Sequence, residues 1–347
     1  MSQTSRGNLL RGSLTGGLVA ALAFVATAKA DAVGDFYKGK NLTAIISFAP
    51  GGGYDVYART IAQHLQQYIP GSPTIVLQHM PGGGGVKAAN YFDNIAAQDG
   101  SIVAMIADSV GVSLKLRPKG AKFDPAKWEY IGRAVTSATV LLVHRNAPAT
   151  TLDALRKTEI TAGATGTGSM SFMGPKVYRE MLGLRTKVVA GYPGTNPIVL
   201  AIEKGEVHAL NWSWASAKSV RGQWLTEKTL IPLIQFALER APDLPNVPLA
   251  LELAGNADDK AAIRFMSHYA AIGRALAAPP KIPRDRLAAL RKAFDDTMKD
   301  PKFLADAKKR KMDIEPATGE AVNKVMREAM ATPASVIAKA QSALNRK

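Results

Sequence analysis

Apolar and polar positions alternate along this chain in two distinct patterns. Short runs rich in Val, Ile and Leu, typical of buried strands, are separated by longer stretches whose apolar residues recur at helical spacing. In the first part of the chain, the pattern predicts strands over 42–48, 74–78 and 102–107 and helices over 55–68 and 86–95. This order of elements predicts an α/β fold built on a mostly parallel sheet.

A second unit of the same kind follows. Its predicted strands cover 160–164, 187–190, 208–212 and 230–235, and its predicted helices cover 171–182, 197–204 and 215–224. Beyond it, the stretch over 252–264 is interpreted as a solvated helix, and helices are predicted over 284–299, 302–310 and 320–330. An extended run over 130–144 joins the two units, and another over 268–277 leads the chain back. We therefore expect two lobes joined by two extended crossings, with a ligand between the lobes.

Two glycine-rich turns, at 50–53 and 81–85, each follow a predicted strand and lead into a helix. Glycine lets backbone N–H groups turn toward a ligand, and the helix that follows directs its partially positive end to the same place. Two such turns at one edge of a sheet would form an anion pocket. From the turns alone, the anion could be a cofactor phosphate or a carboxylate carried by a receptor.

The first thirty residues have the features of an export signal. Arg6 and Arg11 provide a positive start, 14–26 is mostly apolar, and Ala28-Lys29-Ala30 is a small-x-small cleavage site. Residues 1–30 are therefore predicted to be a cleavable signal peptide that directs the mature protein to the periplasm. An uncleaved N-terminal anchor is the alternative, and no cysteine is present for a lipid anchor.

Composition narrows the class of function. The 347 residues carry a formal net charge of +16 and no cysteine, which excludes thiol catalysis and thiolate metal sites. The densest basic cluster, over 308–311, lies among acidic and apolar residues without interleaved aromatic residues, so a solvated helix face is favoured over nucleic-acid binding. The positive charge would draw anionic solutes toward the protein.

Motifs for cofactor or catalytic chemistry are incomplete. The glycine spacing of a P-loop occurs over 163–168, but Ser169 stands where Lys is required, and neither glycine turn completes a dinucleotide fingerprint. The five histidines have no zinc spacing, and G-x-S-x-G is absent. We expect no cofactor and no metal. An extracytoplasmic hydrolase with Ser109 or Ser169 as nucleophile, and a ligand-sensing subunit of a signalling system, stay open as alternatives.

Several segments in collinear order resemble one protein family. They are FAPGGGYDVYAR at 48–59, MPGGGGV at 80–86, AQDGS at 97–101, AGATGTGS at 162–169, GYPGT at 191–195, GEVHA at 205–209 and AAPPKIP at 277–283. Together they resemble the solute receptors of the tripartite tricarboxylate transporter family, the Bug or TctC-type periplasmic binding proteins. The resemblance implies a two-lobed Venus-flytrap fold and no enzymatic activity. It also implies a monomer that captures a small carboxylate and delivers it to membrane permease subunits.

The resemblance also implies the lobe boundaries and the binding residues. Lobe 1 would comprise 31–134 and 268–347, and lobe 2 would comprise 135–267. The ligand-binding residues implied in lobe 1 are Pro50, Gly51, Gly52, Tyr54, Gly83, Gly84 and Ser109. Those implied in lobe 2 are Thr165, Thr167, Ser169, Thr195 and Asn211.

This chain departs from the family's usual pattern at the end of the strand over 208–212. Where many members have an acidic residue followed by an amide, it has Asn211-Trp212-Ser213-Trp214. A buried ammonium needs a carboxylate partner, so the departure favours a di- or tricarboxylate or an aromatic acid over an amino acid. Trp212 either lines the cleft or packs between sheet and helix, and Arg274 pairs either with a ligand carboxylate or with a structural Asp.

Overall fold

The computed structural model describes residues 32–117 and 119–345, so the predicted signal peptide lies outside the described residues. The chain forms two mixed sheets flanked by helices. In chain order the strands are β1 (Asn41–Ile46), β2 (Thr74–His79), β3 (Ile102–Met105), β4 (Glu129–Arg133), β5 (Thr139–His144), β6 (Ile160–Ala164), β7 (Thr186–Ala190), β8 (Ala209–Ser213), β9 (Leu230–Phe236), β10 (Ala275–Ala278) and β11 (Ala317–Thr318).

The helices surround these sheets. They are α1 (32–37), α2 (Gly53–Leu65), α3 (Val86–Asn94), α4 (Val110–Leu116), α5 (Leu152–Lys157), α6 (Met170–Glu180), α7 (Thr195–Glu203), α8 (Trp214–Thr226), α9 (Ala250–Leu253), α10 (Ala257–Ser267), α11 (Tyr269–Ile272), α12 (Arg284–Lys299), α13 (Pro301–Lys309), α14 (Gly319–Met330) and α15 (Ala334–Asn345). Short 3-10 turns extend α2 over Gln66–Tyr68 and precede α3 over Gly83–Gly85.

The sheet of lobe 1 has the strand order β11-β4-β10-β3-β1-β2. Strand β1 pairs in parallel with both β2 and β3, while β10 is antiparallel to β3 and β4. The parallel unit predicted from the first part of the chain is therefore confirmed. Because parallel strands end at the same edge of a sheet, the loops after β1, β2 and β3 open on one crevice.

The sheet of lobe 2 has the strand order β7-β6-β8-β5-β9. Strand β6 is parallel to β7 and β8, and β5 runs antiparallel between β8 and β9. The four strands and three helices predicted for this unit are all present, with ends that differ by two residues or fewer. The predicted α/β class is confirmed in both lobes, but the prediction of mostly parallel sheets is wrong, because β10 in lobe 1 and β5 in lobe 2 run antiparallel to both of their neighbours.

The two crossings differ from each other. The predicted extended run over 130–144 is divided into β4 and β5, and residues 134–138 pass between the lobes. The prediction of a second extended crossing over 268–277 is wrong for its first half, because α11 forms there before Gly273 turns the chain into β10. Gly273 has φ +55°, and a Cβ on it would lie 2.0 Å from the Val135 carbonyl oxygen, so the crossings touch through backbone at this point.

The last helix was not predicted, and it explains why a neighbouring helix is buried. The interpretation of 252–264 as a solvated helix holds for most of its side chains, which are exposed, but the stretch is divided between α9 and α10. The buried face of α10 includes Ile263, Phe265 and Met266, which belong to the core of lobe 2. Helix α15 covers α10 and α6, and its Ala340 shares the same core. It also contacts α4 of lobe 1, so residues 334–345, which the expected boundaries assign to lobe 1, pack on both lobes.

Candidate functional site

A cavity of about 60 Å³ lies between the two lobes, and we call it the cleft cavity. Both sheets contribute to its walls through the loops at their strand ends. The predicted binding residues that line it are Gly52, Tyr54, Ser109, Thr165, Ser169, Thr195, Asn211, Trp212 and Arg274. The structure thus brings residues more than 200 positions apart in the chain to one small enclosure.

The other predicted binding residues lie outside the cavity wall. They are Pro50, Gly51, Gly83, Gly84 and Thr167. The Gly51 amide donates a 3.0 Å hydrogen bond to Asp55 Oδ2, and this bond stabilises the first glycine turn. Helix α2 begins at Gly53 with Gly52 as its N-cap. Asp55, in the first turn of α2, therefore accepts a hydrogen bond from the glycine turn that precedes the helix.

The second glycine turn serves the contact between the lobes. A Cβ on Gly84 would lie 2.5 Å from the Ser169 amide nitrogen, and one on Gly168 would lie 2.6 Å from the Gly83 carbonyl oxygen. Nearby, Ser109 Oγ donates a 3.0 Å hydrogen bond to the Gly168 carbonyl. Two glycine-rich loops from opposite lobes therefore meet backbone to backbone beside the cavity.

Four helices of nine residues or more begin at the cleft cavity. Their first residues or N-caps line its wall: Gly52 and Gly53 for α2, Ser169 and Met170 for α6, Thr195 for α7 and Ser213 for α8. Each helix start carries a partial positive charge and backbone N–H groups without helical partners. Together they make the cavity favourable for an anion.

The charged side chains of the cavity wall form one buried pair. Arg274 Nη1 lies 3.2 Å from Asp108 Oδ2 and 3.1 Å from Ser137 Oγ, and Nη2 donates to Ser216 Oγ at 2.8 Å. The guanidinium also stacks 3.9 Å from the ring centroid of Tyr54. Burial raises the pKa of Asp108, although Arg274 opposes that rise. Arg274 therefore both pairs with a structural Asp and lines the cavity.

Asn211 is held in a chain of buried hydrogen bonds. Its Nδ2 donates to Thr139 Oγ1 at 2.8 Å and to the Met170 carbonyl at 3.0 Å, while its Oδ1 accepts from Tyr178 Oη at 2.8 Å. Tyr269 Oη lies 2.6 Å from Thr139 Oγ1 and donates to the Phe236 carbonyl. Both amide hydrogens of Asn211 are thus committed within lobe 2. Its side chain shapes the wall and orients Thr139.

Trp212 combines the two roles considered for it. It is 4% exposed and packs in the core of lobe 2 with Val140, Leu142 and Trp214, and it also lines the cleft cavity. Trp214 faces a different region, where its Nε1 donates to Asp243 Oδ1 at 2.8 Å.

Two residues of the cavity wall each have a buried polar atom without a hydrogen-bond partner among the described residues, namely Ser213 Oγ and Arg274 Nε. Ser213 is only 5% exposed and stands in the cavity wall at the start of α8. An unpaired buried polar atom costs about 1–3 kcal/mol. A ligand that hydrogen bonds to either atom would remove that cost.

Sequence reasoning missed several residues of the cavity wall. They are Phe48, Gly53, Asp108, Ser137, Thr139, Met170, Ser171, Ser213 and Ser216. Ser213 had a usable signal, because it follows Trp212 at the end of a strand whose loop faces the cleft. Ser137 had none, since its position depends on where the chain crosses between lobes.

The serines considered as nucleophiles have no histidine beside them in the cavity wall, and both hydroxyls donate to backbone carbonyls. Ser109 Oγ donates to the Gly168 carbonyl, and Ser169 Oγ donates to the Gly166 carbonyl at 2.8 Å. All five histidines lie in the described part of the chain, and the cavity wall contains none of them. Within residues 32–117 and 119–345, no cluster of three or more His, Cys, Asp or Glu could hold a metal ion. In the same residues, no helix is long and apolar enough to cross a membrane.

Solved structures share this architecture. The periplasmic binding protein BugD superposes with a TM-score of 0.69 at 20% identity, covering 88% of this chain and 98% of BugD. MatC from Rhodopseudomonas palustris, solved with bound malate, superposes with a TM-score of 0.68 at 20% identity, covering 88% of this chain and 99% of MatC. The predicted two-lobed periplasmic-binding-protein fold is confirmed.

A sequence relative and a family model show which protein family this chain belongs to. BugT of Bordetella pertussis is 28% identical over 196 residues, which is 54% of this chain and 59% of BugT. The chain spans only 59–65% of the length of the curated relatives it matches. The family model "Tripartite tricarboxylate transporter family receptor" matches residues 57–341, and it describes a substrate-binding receptor and not an enzyme, as predicted. This chain belongs to the tripartite tricarboxylate transporter receptor family.

Proposed function

We propose that this protein is a periplasmic receptor that captures a small di- or tricarboxylate between its lobes. It then delivers the acid to the membrane permease subunits of a tripartite tricarboxylate transporter. The observation that carries the proposal is the meeting of four helix N-termini at one cavity whose two charged side chains neutralise each other. A negative ligand would therefore be held by N–H and hydroxyl donors, with little contribution from net side-chain charge.

The same cavity favours acids without an amino group over amino acids. Its one carboxylate, Asp108, is already paired with Arg274, which leaves no partner for a ligand ammonium. The malate in MatC, a protein of the same fold, has the chemistry that we propose here.

We propose that the lobes close on the ligand as two bodies, comprising 31–134 with 268–347, and 135–267. Tyr54, Ser109 and Arg274 would contact it from lobe 1, and Thr165, Ser169 and Thr195 from lobe 2. The unpaired Ser213 Oγ would donate to the distal carboxylate. An acid that left this donor unpaired would bind more weakly, which gives selectivity.

The proposed location rests on the start of the chain, and the proposed oligomeric state rests on the cleft cavity. The start of the chain has the pattern of an export signal, and BugD, which shares the fold, is a periplasmic binding protein. The receptor would act as a monomer, because a single chain supplies both walls of the cleft cavity. Only the closed, loaded form would present the surface that the permease subunits accept.

A thermal-shift screen followed by titration calorimetry tests this function. Malate, citrate and benzoate would be compared with malamide, the uncharged diamide of malate. We expect an aliphatic acid to raise the melting temperature because it binds only the folded state, while malamide leaves it unchanged. Thr195→Val should weaken binding about tenfold by removing one hydrogen bond, and Thr158→Val, at an exposed site of lobe 2, should not. Equal binding of malate and malamide would contradict the proposal.

A further inference from the structure

A larger groove lies on the hinge side of the molecule, and we call it the hinge-side groove. Its volume is about 680 Å³, and it shares Trp214, Lys218 and Asp243 with a depression that reaches the crossings. The first turn of α8 separates it from the cleft cavity: Ser213 and Ser216 line the cavity, while Trp214 and Lys218 line the groove. The groove and the cleft cavity are therefore two separate sites on opposite faces of the first turn of α8.

The walls of the groove are mostly apolar, and its charges are mostly positive. Leu225, Leu230, Ile231 and Leu244 lie beside Trp214, and three lysines join them. Lys218 is neutralised, since its Nζ lies 2.7 Å from Asp243 Oδ2 and 2.8 Å from Asp313 Oδ2.

The other two lysines, Lys228 and Lys311, have no carboxylate within 4.0 Å among the residues that the structure describes. The groove therefore combines an apolar wall with two lysines that have no carboxylate partner.

Both lysines occupy the left-handed position that follows the C-cap of a helix, Lys228 after α8 and Lys311 after α13. Four non-glycine residues of the described ranges have positive φ, and two of them are Lys228 at 53° and Lys311 at 55°. The amide nitrogens of Lys228 and Lys311 donate to the carbonyl oxygens of Leu225 and Lys308, so each lysine ends its helix and projects its side chain from there. Lys311 comes from lobe 1, yet its stem lies over Gly222 of α8, where a Cβ would be 3.3 Å from Lys311 Cδ. Helix α8 is kinked at the preceding Arg221.

We propose that the hinge-side groove is a second ligand site, which takes an amphipathic monoanion such as a medium-chain carboxylate. The apolar chain would lie along Trp214 and Leu230, and the carboxylate would be held by Lys228 and Lys311. A volume of about 680 Å³ falls within the usual range of small-molecule sites. The two lysines favour an anion by charge complementarity, and the apolar wall favours a ligand with a hydrocarbon body.

Binding at this site would be coupled to the arrangement of the lobes. Lys311 lies in the C-terminal part of lobe 1, whereas Trp214, Lys228 and Leu230 belong to lobe 2. A ligand that contacts both sides gains its full binding energy only when the lobes have the relative position seen in this structure. It would therefore favour that position, and the solute of the cleft would in turn favour its binding.

Titration of the full-length mature protein with decanoate tests the site. Decanol and decyltrimethylammonium serve as neutral and cationic probes of the same chain length. We expect saturable 1:1 binding of decanoate alone, and hexanoate should bind at least tenfold more weakly because it buries fewer methylene groups. Lys311→Gln and Lys228→Gln should each weaken decanoate binding about fivefold. Lys309→Gln, in the same basic cluster but outside the groove, should leave it unchanged.

Other results would overturn the proposal. Absence of saturable decanoate binding would do so, as would equal affinity in the lysine variants whose melting temperatures match the wild type. Decanoate binding that is lost on Thr195→Val but retained in the lysine variants would place the acid in the cleft. Self-association abolished by Lys311→Gln, measured by sedimentation, would identify a second copy of the chain as the occupant. Because decanoate is tested separately from malate, failure here leaves the proposed receptor function standing.

Discussion

Gly84 of lobe 1 and Gly166 of lobe 2 approach each other so closely that neither has room for a side chain. A Cβ on Gly84 would lie 3.0 Å from the Gly166 carbonyl oxygen, and a Cβ on Gly166 would lie 2.5 Å from the Gly84 amide nitrogen. These glycines let the lobes touch through backbone beside the cleft cavity. Their small size is therefore a condition for the arrangement of the lobes in this structure.

Gly84→Ala should lower ligand affinity more than about tenfold, because it makes the closed arrangement a minor state. Gly84 has φ +69°, so the substitution also strains the backbone. Gly39→Ala is the matched control, since Gly39 has the same φ and nothing within 4 Å of the added Cβ. Both variants should lose similar thermal stability, and only the first should lose affinity for the best acid of the screen by calorimetry. Equal affinities would show that the loop contact is dispensable.

Arg274→Met should lower the free energy of unfolding by about 3–5 kcal/mol, because it leaves the Asp108 carboxylate buried without its guanidinium. Asp108→Asn should also destabilise, since it leaves the Arg274 charge unpaired. The double variant should lose at least 1 kcal/mol less than the sum of the two. Urea denaturation of the four proteins measures this coupling. Additive losses, within about 0.5 kcal/mol, would mean that the pair does not act as a unit.

Much of the frame could be predicted from the sequence because the elements are locally determined. The strand over 160–164 and the helix over 284–299 have their predicted bounds, since apolar periodicity and terminal signals define them without long-range information. The glycine turn at 50–53 likewise predicted that a helix begins at the crevice, and α2 begins at Gly53. Local signals thus located the lobe 1 side of the site.

What the sequence did not reveal depends on contacts between distant segments. The roles of Gly83 and Gly84 require the loop at 166–168, which belongs to the other lobe. The pairing of Arg274 with Asp108 joins residues separated by 166 positions. Burial of α10 likewise depends on α15. Neither periodicity nor motif spacing carries such information, because both describe only what lies near in the chain.

Lys218 connects the lobes outside the cleft, and Lys218→Met should lower the free energy of unfolding by about 1 kcal/mol. Its Nζ bridges Asp243 of lobe 2 and Asp313 of lobe 1. Burial alone would lower the pKa of Lys218, but the two carboxylates outweigh it and raise that pKa, so the bridge persists across the neutral range. Lys292→Met, which removes an exposed pair within one helix, should cost less than about 0.5 kcal/mol. Denaturant midpoints in low and high salt compare the two, and an equal loss would contradict a bridging role for Lys218.

Acidification should weaken the first glycine turn through Asp55. Burial would raise the pKa of this carboxyl, but the hydrogen bond from the Gly51 amide, with His79 and Arg59, outweighs burial and holds the pKa below its ordinary value of 3.8. A carboxyl with a lowered pKa in the folded state contributes stability that is fully present above the unfolded value. That stability is lost as the pH falls through the folded value.

Asp55→Asn should therefore cost about 1–2 kcal/mol at neutral pH, and the difference from wild type should shrink below about pH 4. Urea unfolding at a series of pH values measures both curves, and a difference that stays constant down to about pH 3 would exclude Asp55 as the titrating group.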